Sequence, residues 1–386
     1  MSDIKTIQDI FVYGEEEYKL KYNISIEQRK AFRHIKMCRT EALGYHKIVC
    51  ESCGYEKITY NSCKDRHCPL CQSFKKEQWT NDRKSEVLGS KYFHAVLTLP
   101  KELNNIVLQN KKVLYSNMFK AAGETVKKLC EDKKYIGAVP AITAVLHTWG
   151  QNLEFHPHIH MIISAGGLTK DNKWKKSSEK FFVPVKVLSK VFRGKFLSYL
   201  KDNYKNDELS FYGEIEEYSN KNKFKILINK VYSINWYSYV KRPFDNADAI
   251  IEYLARYTHK IAITNSRIVK IEDDRVFFKY KDYKDNSKIK TMSLEVTEFI
   301  RRFLMHILPS KFIKIRYYGI CANRNKKTKL KLGQKLTKIL NNPLYIKLTK
   351  LELLKKITNG KAFLCPKCNK ETLKLEDLNR KILNTA

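Results

Sequence analysis

Residues 153–167 read LEFHPHIHMIISAGG and include three of the ten histidines of the chain. Side chains of a strand alternate between its two faces, so His158 and His160 would project from one face at a spacing that lets both imidazoles bind one metal ion. Ile159 would point into the core behind them. Because imidazole is the commonest neutral metal ligand, we predict a metal-binding strand here. The alternative is a histidine-rich edge strand that binds no metal.

The composition indicates a folded, strongly basic protein. A chain of 386 residues has room for two or three domains, and 43% hydrophobic residues are enough to build their cores. Lys and Arg number 74 against 40 Asp and Glu, a formal net charge of +34. We therefore expect a nucleic acid partner, and the interleaved aromatic residues suit stacking on unpaired bases. A lysine-rich genome is the alternative source of part of this charge.

The sequence favours a cytoplasmic location. It has no run of 18 apolar residues, and its first residues lack the basic-then-apolar pattern of a signal peptide. Cytoplasmic thiols are kept reduced, so ten cysteines arranged largely in close pairs indicate zinc rather than disulfides.

Two C-x-x-C pairs near the amino terminus predict a structural zinc site. Fourteen residues separate the pairs, close to the spacing of a zinc ribbon, and four thiolates complete a tetrahedral site. The predicted ligands are Cys50, Cys53, Cys68 and Cys71. Cys63 and His67 are additional candidates, which leaves open an exchange of ligands or a second metal ion. Such a short, metal-dependent region should unfold when the metal is removed.

The carboxyl-terminal part of the chain is its most basic part. The last 86 residues contain 22 Lys or Arg and 4 Asp or Glu, which predicts a DNA-binding region. The arginines predicted to contact DNA are Arg66, Arg301, Arg302, Arg316 and Arg324. A further pair, Cys365 and Cys368, resembles half of a zinc site, and only Cys321 is a loose candidate to complete it. Its role is left open.

The order of predicted elements indicates an α+β protein. Residues 92–100 read as a strand, 102–130 as a helix, and the histidine strand follows. This order is typical of an antiparallel sheet backed by helices. We predict a helical and zinc-binding domain over residues 1–88, a sheet domain over 89–300 with a strand-rich insertion at about 168–244, and the basic region over 301–386.

Residues 245–260 read as a helix with an apolar stripe. Tyr253, Tyr257 and Lys260 fall together on the flank of that stripe. Two tyrosines four residues apart are more often packing than chemistry, so their spacing alone does not assign them a role.

Four segments, in this order, resemble the insertion sequence 91 family of rolling-circle transposases. They are SCKDRHCPLCQ (62–72), WGQNLEFHPHIH (149–160), YLARYTHK (253–260) and IRRFLMHILPSKFIKIRYYGICANR (300–324). Members are HUH endonucleases with two catalytic tyrosines. The resemblance implies that residues 89–300 form an HUH nuclease domain with a ferredoxin-like antiparallel sheet. It also implies that His158 and His160 lie on a central strand, with the tyrosine helix against it.

The resemblance also implies a mechanism. Mg²⁺ or Mn²⁺ held by the two histidines would polarise a scissile phosphate in single-stranded DNA while Tyr253 or Tyr257 attacks phosphorus, giving a 5′-phosphotyrosine and a free 3′ hydroxyl. Lys260 or His259 would help to remove the tyrosine proton. A third metal ligand is expected.

Three residues compete for the role of third ligand. They are His156, His94 and Gln151. His156 is preferred, although Pro157 bends the strand beside it.

Two other functions compete with transposition. A plasmid replication initiator of the same fold would make the same nick, and a zinc-dependent regulator would bind DNA without cleaving it. The zinc segment and the basic region favour the transposase over the initiator. A 5′-phosphotyrosine adduct on single-stranded oligonucleotides would exclude the regulator.

Overall fold

The computed structural model describes residues 6–178, 183–244, 251, 262–283, 285–340 and 347–376. Its helices are α1 (Ile7–Tyr13), α2 (Glu15–Lys21), α3 (Ile26–Met37), α4 (Gln72–Lys84), α5 (Asn104–Gln109), α6 (Lys111–Glu131), α7 (Val185–Lys205), α8 (Lys221–Ser233), α9 (Val296–Met305), α10 (Lys331–Leu336) and α11 (Lys350–Thr358). Its strands are β1 (Tyr45–Cys50), β2 (Glu56–Tyr60), β3 (Tyr92–Thr98), β4 (Val139–Trp149), β5 (Phe155–Leu168), β6 (Trp174–Lys176), β7 (Ser238–Phe244), β8 (Ile268–Glu272), β9 (Arg275–Asp282), β10 (Lys288–Glu295), β11 (Ile315–Gly319) and β12 (Leu373–Glu376).

A six-stranded antiparallel sheet forms the centre of the fold. Its strand order is β11-β4-β5-β3-β7, and β6 pairs with the end of β5. The histidine strand β5 therefore lies in the middle, between β4 and β3. Ile159 pairs with Leu146 on one side and Leu97 on the other, and all three are buried in the same core.

Helices α5 to α8 cover one face of this sheet. Their apolar side chains, such as Phe119 and Phe196, form the largest hydrophobic cluster together with alternate residues of β3, β4 and β5. Helix α6 comes close to β11 at Gly123, where a Cβ atom would lie 2.7 Å from the ring of Tyr318. The opposite face of the sheet carries the histidines.

A second cluster joins the amino-terminal helices to a small sheet. Helices α1 and α3 each begin with a capping box, Thr6 with Asp9 and Ser25 with Gln28, which satisfies their first backbone N–H groups. The buried residues of both helices pack against α9 and the three-stranded sheet β8-β9-β10.

The third sheet joins distant parts of the chain. Strand β1 pairs with β2 on one side and with β12 on the other, both antiparallel. The predicted unit 1–88 therefore includes a strand from the predicted unit 301–386, and β11 from that same region belongs to the central sheet.

The protein is thus a mixed α/β protein built on antiparallel sheets, and several predicted elements are confirmed. Strand β3, helices α5 and α6, and the histidine strand lie where the sequence predicted them. The strand-rich insertion at 168–244 is wrong, because α7 and α8 are the longest elements of its described part and pack their apolar faces on the sheet. Among the described helices, none combines the length and the apolar character needed to cross a membrane.

Candidate functional site

The β4-β5 hairpin brings three histidines together. His147 on β4 pairs directly with His158 on β5, and His160 follows two residues later on the same face. One ligand nitrogen from each residue can be chosen so that all lie within 4.8 Å of one another. The Nε2 atoms of His158 and His160 are 3.1 Å apart. Two nitrogens that bind one ion at about 2.1 Å are expected at roughly that separation.

The ring nitrogens of His158 and His160 that face away from the shared point have partners. Nδ1 of His158 lies 2.6 Å from the carbonyl oxygen of His156, so it carries a hydrogen and donates it. Nδ1 of His160 lies 2.8 Å from Nε2 of His94 on β3. Hydrogen bonds of this kind fix the orientation of metal-binding imidazoles and leave Nε2 available.

The site favours neutral imidazoles. Burial lowers the pKa of His158 to about 3 and that of His94 to about 4. Burial likewise lowers the pKa of His160 well below its usual value, and His147 and His158 lower it further. Neutral imidazole is the form that binds metal, so the cluster is prepared for a cation.

The hairpin turn is held from three sides. Arg267 and Arg302 donate to the carbonyl oxygens of residues 151 and 152, at 2.6 and 3.1 Å. The buried His306 contacts the next carbonyl oxygen, that of Leu153, through Nε2 at 3.0 Å, and its Nδ1 contacts the Thr148 hydroxyl at 3.2 Å. Since Leu153 has a left-handed backbone (φ 64°), these contacts stabilise a turn that an ordinary residue adopts reluctantly.

Of the three candidates for the third ligand, none belongs to the cluster. The side chain of His156 is exposed, and its contribution is the carbonyl that orients His158. His94 contacts Nδ1 of His160, on the side of that ring that faces away from the cluster. The side-chain oxygen of Gln151 accepts a hydrogen bond from the N–H of Lys281 in β9. The sequence analysis missed His147. A regular hairpin with its turn at residues 150–154 would pair Trp149 with Phe155 and leave His147 opposite Pro157. The register shift between Trp149 and His147 places His147 opposite His158 instead, and the sequence does not predict that shift.

The histidine face also carries a small hydrophobic cluster. Val145 of β4 pairs with His160, and Ile162 follows His160 by two residues on β5. Both pack against Ile251 on this face. Tyr239 on β7 pairs with Val96 on β3, which in turn pairs with His160, so Tyr239 is a tyrosine of the same face, two strands from the site. Tyr253, Tyr257 and Lys260 lie outside the described residues.

The predicted zinc ligands belong to two separate cysteine clusters. One consists of Cys38, Cys63, Cys68 and Cys71, and the other of Cys50, Cys53, Cys365 and Cys368. The single set of Cys50, Cys53, Cys68 and Cys71 is therefore wrong. The pairing of β1 with β12 brings Cys365 and Cys368 to Cys50 and Cys53. Cys68 and Cys71 instead join Cys38 and Cys63, which precede them in the chain.

The first cluster is embedded in the core. Cys38 follows the end of α3, and its sulfur lies 3.5 Å from that of Cys71, as does the sulfur of Cys63. Cys38 and Cys68 are buried within the second hydrophobic cluster. Sulfurs bound to one zinc ion at about 2.3 Å would be roughly 3.8 Å apart, close to this spacing.

His67 is not a ligand of this cluster. Its Nε2 accepts a hydrogen bond from the Leu308 N–H at 3.2 Å, and its Nδ1 lies 3.0 Å from Oδ1 of Asp65. The other oxygen of Asp65 lies 2.7 Å from Nδ1 of His34. Burial alone would raise the pKa of Asp65, but hydrogen bonds from His67 and His34 lower it below its usual range. These residues dock the cysteine segment on the loop after α9.

Four of the five arginines predicted to contact DNA bind protein groups. Arg66 donates to the carbonyl oxygen of Phe312 at 2.7 Å, and Arg316 lies over the Phe119 ring at 4.6 Å. Arg301 and Arg302 share the carboxylate of Glu298. Arg324, after β11, is exposed.

Comparisons with known proteins agree with these features. A family model described as "Transposase zinc-binding domain" matches residues 10–99, and a model described as "Putative transposase" matches residues 141–329. The chain is 41% identical over 326 residues to "Putative transposase y4qJ" of Sinorhizobium fredii, which covers 84% of this chain and 82% of that protein. It is 26% identical over 293 residues to "Transposase for insertion sequence element IS801" of Pseudomonas savastanoi pv. phaseolicola, covering 74% and 68% of the two chains. No solved structure matches.

The cysteine-rich amino-terminal region and the sheet that follows it define a transposase with a zinc-binding domain. More specifically, the chain belongs to the insertion sequence 91 family of transposases.

Proposed function

We propose that this transposase cuts and joins single-stranded DNA through a tyrosine nucleophile, as an HUH endonuclease of rolling-circle transposition. The observation that carries the proposal is the grouping of His147, His158 and His160 on the central strands of an antiparallel sheet. The outer nitrogens of His158 and His160 are oriented by a backbone and a side-chain partner, which favours a metal site over a histidine-rich surface.

The donor set fits a divalent cation. The group consists of three imidazoles, and no carboxylate of the described residues belongs to it. Mg²⁺ prefers oxygen ligands, whereas Mn²⁺ accepts imidazole more readily, so the site favours Mn²⁺ of the two predicted ions. When bound, the ion would polarise the scissile phosphate.

Tyr253 and Tyr257 are the proposed nucleophiles. Ile251, two residues before Tyr253, is buried in the cluster that includes Val145 and Ile162 beside His160. The chain therefore approaches the histidine face immediately before the tyrosine segment. This is the support for placing the nucleophiles at the metal site.

The covalent step exchanges one phosphodiester for another. The tyrosine oxygen forms a bond to phosphorus, and the bond from phosphorus to the 3′ oxygen of the preceding nucleotide breaks. The tyrosine proton passes to a base, for which Lys260 is our candidate, and the departing oxygen takes up a proton to become a 3′ hydroxyl. With two tyrosines, one can hold the first 5′ end while the other cuts a second strand.

Exposed basic residues are proposed to supply most of the affinity for DNA. The net charge of +34 greatly exceeds what solubility requires. Arg324 is the predicted arginine whose exposure suits phosphate contact, whereas Arg301 and Arg302 are proposed to stabilise the fold through Glu298.

Adduct formation on single-stranded oligonucleotides tests the proposal. The oligonucleotides should span the ends of the DNA element that contains the gene, and each should be tried with Mn²⁺ and with Mg²⁺. A covalent protein–DNA band, mapped by mass spectrometry to Tyr253 or Tyr257, is expected. Tyr253→Phe and Tyr257→Phe should each retain some nicking, and the double variant should form no adduct.

Tyr239→Phe is the matched control, because Tyr239 lies on the same sheet face two strands from His160. It should cleave at the wild-type rate. If the adduct persisted in the Tyr253→Phe, Tyr257→Phe double variant and disappeared in Tyr239→Phe, the nucleophile would be Tyr239 of β7 instead. The absence of any adduct on correct DNA ends would instead favour a binding-only regulator.

A further inference from the structure

We propose that Cys50, Cys53, Cys365 and Cys368 form a second structural zinc site, which we call the split site because its two halves come from opposite ends of the described chain. Both cysteines of the carboxyl-terminal half lie beyond the segments that the family models match, 10–99 and 141–329. The split site is separate from the cluster of Cys38, Cys63, Cys68 and Cys71, which lies wholly within the first segment.

The sulfur positions fit a tetrahedral zinc ion. The Cys50 and Cys368 sulfurs are 3.6 Å apart, and so are the Cys53 and Cys365 sulfurs. All four lie within 4.8 Å of one another. Zinc–sulfur bonds of about 2.3 Å at tetrahedral angles place sulfurs roughly 3.8 Å apart, whereas a disulfide needs about 2.0 Å.

The two halves have the same backbone construction. In the first half the N–H of Gly54 donates to the carbonyl oxygen of Cys50 at 2.9 Å, and in the second the N–H of Asn369 donates to that of Cys365 at 2.8 Å. Gly54 and Asn369 both have left-handed backbones, with φ of 65° and 57°. Glycine and asparagine are the residues that tolerate this conformation best. In each half the chain turns back after the second cysteine and directs both sulfurs to the same point.

Backbone contacts hold the halves together. Strands β1 and β12 pair so that Cys50 faces Leu373, and the N–H of Glu51 donates to the carbonyl oxygen of Thr372 at 3.0 Å. The Thr372 hydroxyl lies 3.1 Å from the Cys50 sulfur, and the N–H of Lys367 lies 3.4 Å from that of Cys365. Hydrogen bonds to sulfur stabilise the thiolate form that binds metal.

The three-stranded sheet of β2, β1 and β12 needs a source of stability other than an apolar core. The three hydrophobic clusters of the described residues contain no residue of β1, β2 or β12. Side chains that would line a core are partly in solvent instead, as with Ile58, which is 53% exposed. A sheet of this size without an apolar core is marginal in water, and a zinc ion with four thiolates supplies the missing stabilisation.

The split site fastens a basic segment to the amino-terminal domain. Between α11 and β12 the chain carries Lys361, Lys367 and Lys370, and the split site holds this stretch beside the β1-β2 hairpin. On the other side of α11, just before it begins, a pair of hydrogen bonds joins Asn81 of α4 to the backbone of Leu348. Loss of the zinc would remove the metal link between the described residues after α11 and the amino-terminal domain, and would leave there the short β1-β12 pairing and the Lys374–Glu51 ion pair.

Zinc stoichiometry tests the proposal. The full chain carrying His158→Ala and His160→Ala serves as the parent, so that zinc on the histidines is not counted. Elemental analysis should give two zinc ions per parent chain and one after Cys365→Ser with Cys368→Ser. The matched control, Cys130→Ser with Cys321→Ser, changes two buried cysteines outside both clusters and should keep two.

Two further measurements keep the test decisive if the serine variant folds poorly. Cys368→His replaces one ligand by another and should restore the second zinc ion. In the parent itself, maleimide labelling should spare Cys365 and Cys368 until a chelator removes zinc, and trypsin should then cut between residues 359 and 376. One zinc ion in the parent, or two in the Cys365→Ser, Cys368→Ser variant, would overturn the proposal.

Discussion

The two proposed metal sites are assembled in opposite ways: the histidine centre, which consists of His147, His158 and His160, and the split site. The histidines come from one hairpin, and its antiparallel pairing, with a register shift between His147 and Trp149, brings His147 to His158. The split site joins two halves separated by more than three hundred residues, through a strand pairing between the first and last described strands of the chain. The centre is thus a local consequence of the central sheet, whereas the split site depends on the completed fold.

This difference predicts different consequences of damage. A histidine removed from the hairpin leaves the strands and the core behind them intact, because β5 is buried between two neighbours. A cysteine removed from the first cluster takes away a link between the end of α3 and the segment 63–71, and one removed from the split site takes away a link between segments that are distant in sequence. Changes at the histidines should therefore affect chemistry, and changes at the cysteines should affect folding.

The largest effect is expected at the histidine ligands. His147→Ala, His158→Ala and His160→Ala should each reduce DNA cleavage by about a hundredfold to a thousandfold or more, because each removes a proposed metal ligand. Oligonucleotide affinity should change little, because phosphate contacts from Lys and Arg supply most of it. Cleavage rates and gel-shift titrations measure the two effects separately.

His156→Ala is the control for this series. Its exposed side chain can be removed while the carbonyl that orients His158 is kept, so cleavage should fall less than about threefold. A loss of cleavage as large as that of His158→Ala would show that His156, rather than His147, is the third metal ligand.

The next effect concerns the two cysteine clusters. Cys68→Ser should destabilise the whole protein by several kcal/mol, because Cys68 is buried in the second hydrophobic cluster with the amino-terminal helices and α9. Cys53→Ser should loosen only the β1-β2-β12 sheet and leave the main thermal transition nearly unchanged. Thermal unfolding followed by far-ultraviolet circular dichroism distinguishes them, and equal shifts for both would contradict the separation of the clusters.

Both the success and the failure of the sequence analysis have a physical explanation. Every second residue of a strand lies on the same face, so the shared face of His158 and His160 follows from their spacing alone. His147 requires the hairpin register together with the register shift between His147 and Trp149. The turn of that hairpin is held by Arg302 of α9 and by His306 directly after α9, both distant in sequence. Cysteine spacing identifies knuckles but carries no information on which knuckle completes which site. The register of β1 with β12 decides that, and it is a property of the tertiary fold.

A smaller effect is expected behind the ligands. His94→Ala removes the partner of His160 Nδ1, 2.8 Å away, and should weaken metal affinity by about tenfold to a hundredfold. Higher Mn²⁺ concentrations should restore cleavage in this variant but not in His160→Ala. Metal titrations of the cleavage rate measure this, and a defect that no Mn²⁺ concentration corrects would make His94 a ligand or a folding residue.

The smallest effect is expected at Glu298, which links α9 to the hairpin turn. Its carboxylate binds Arg301 and Arg302, and Arg302 donates to the carbonyl oxygen of Asn152 in that turn. Hydrogen bonds from Arg301 and then Arg302 lower the pKa of Glu298 to about 2. Because this folded-state pKa lies below the unfolded value of about 4.3, the carboxylate stabilises the fold at neutral pH, and that contribution is lost as the pH falls from about 5 towards 2.

Glu298→Gln should therefore lower the free energy of unfolding by about 1 kcal/mol at pH 7, and the difference from the wild type should shrink at pH 3.5. Urea unfolding at both pH values measures it. Glu295→Gln, which changes a more exposed carboxylate 3.6 Å from Lys21, should be neutral at both. Cleavage by Glu298→Gln should stay within about threefold of the wild type, because Arg267 and His306 still hold the neighbouring carbonyls of the turn. A difference in stability that is the same at both pH values would assign the effect to packing, and a large loss of cleavage would show that the histidine centre depends on distant contacts as strongly as the split site does.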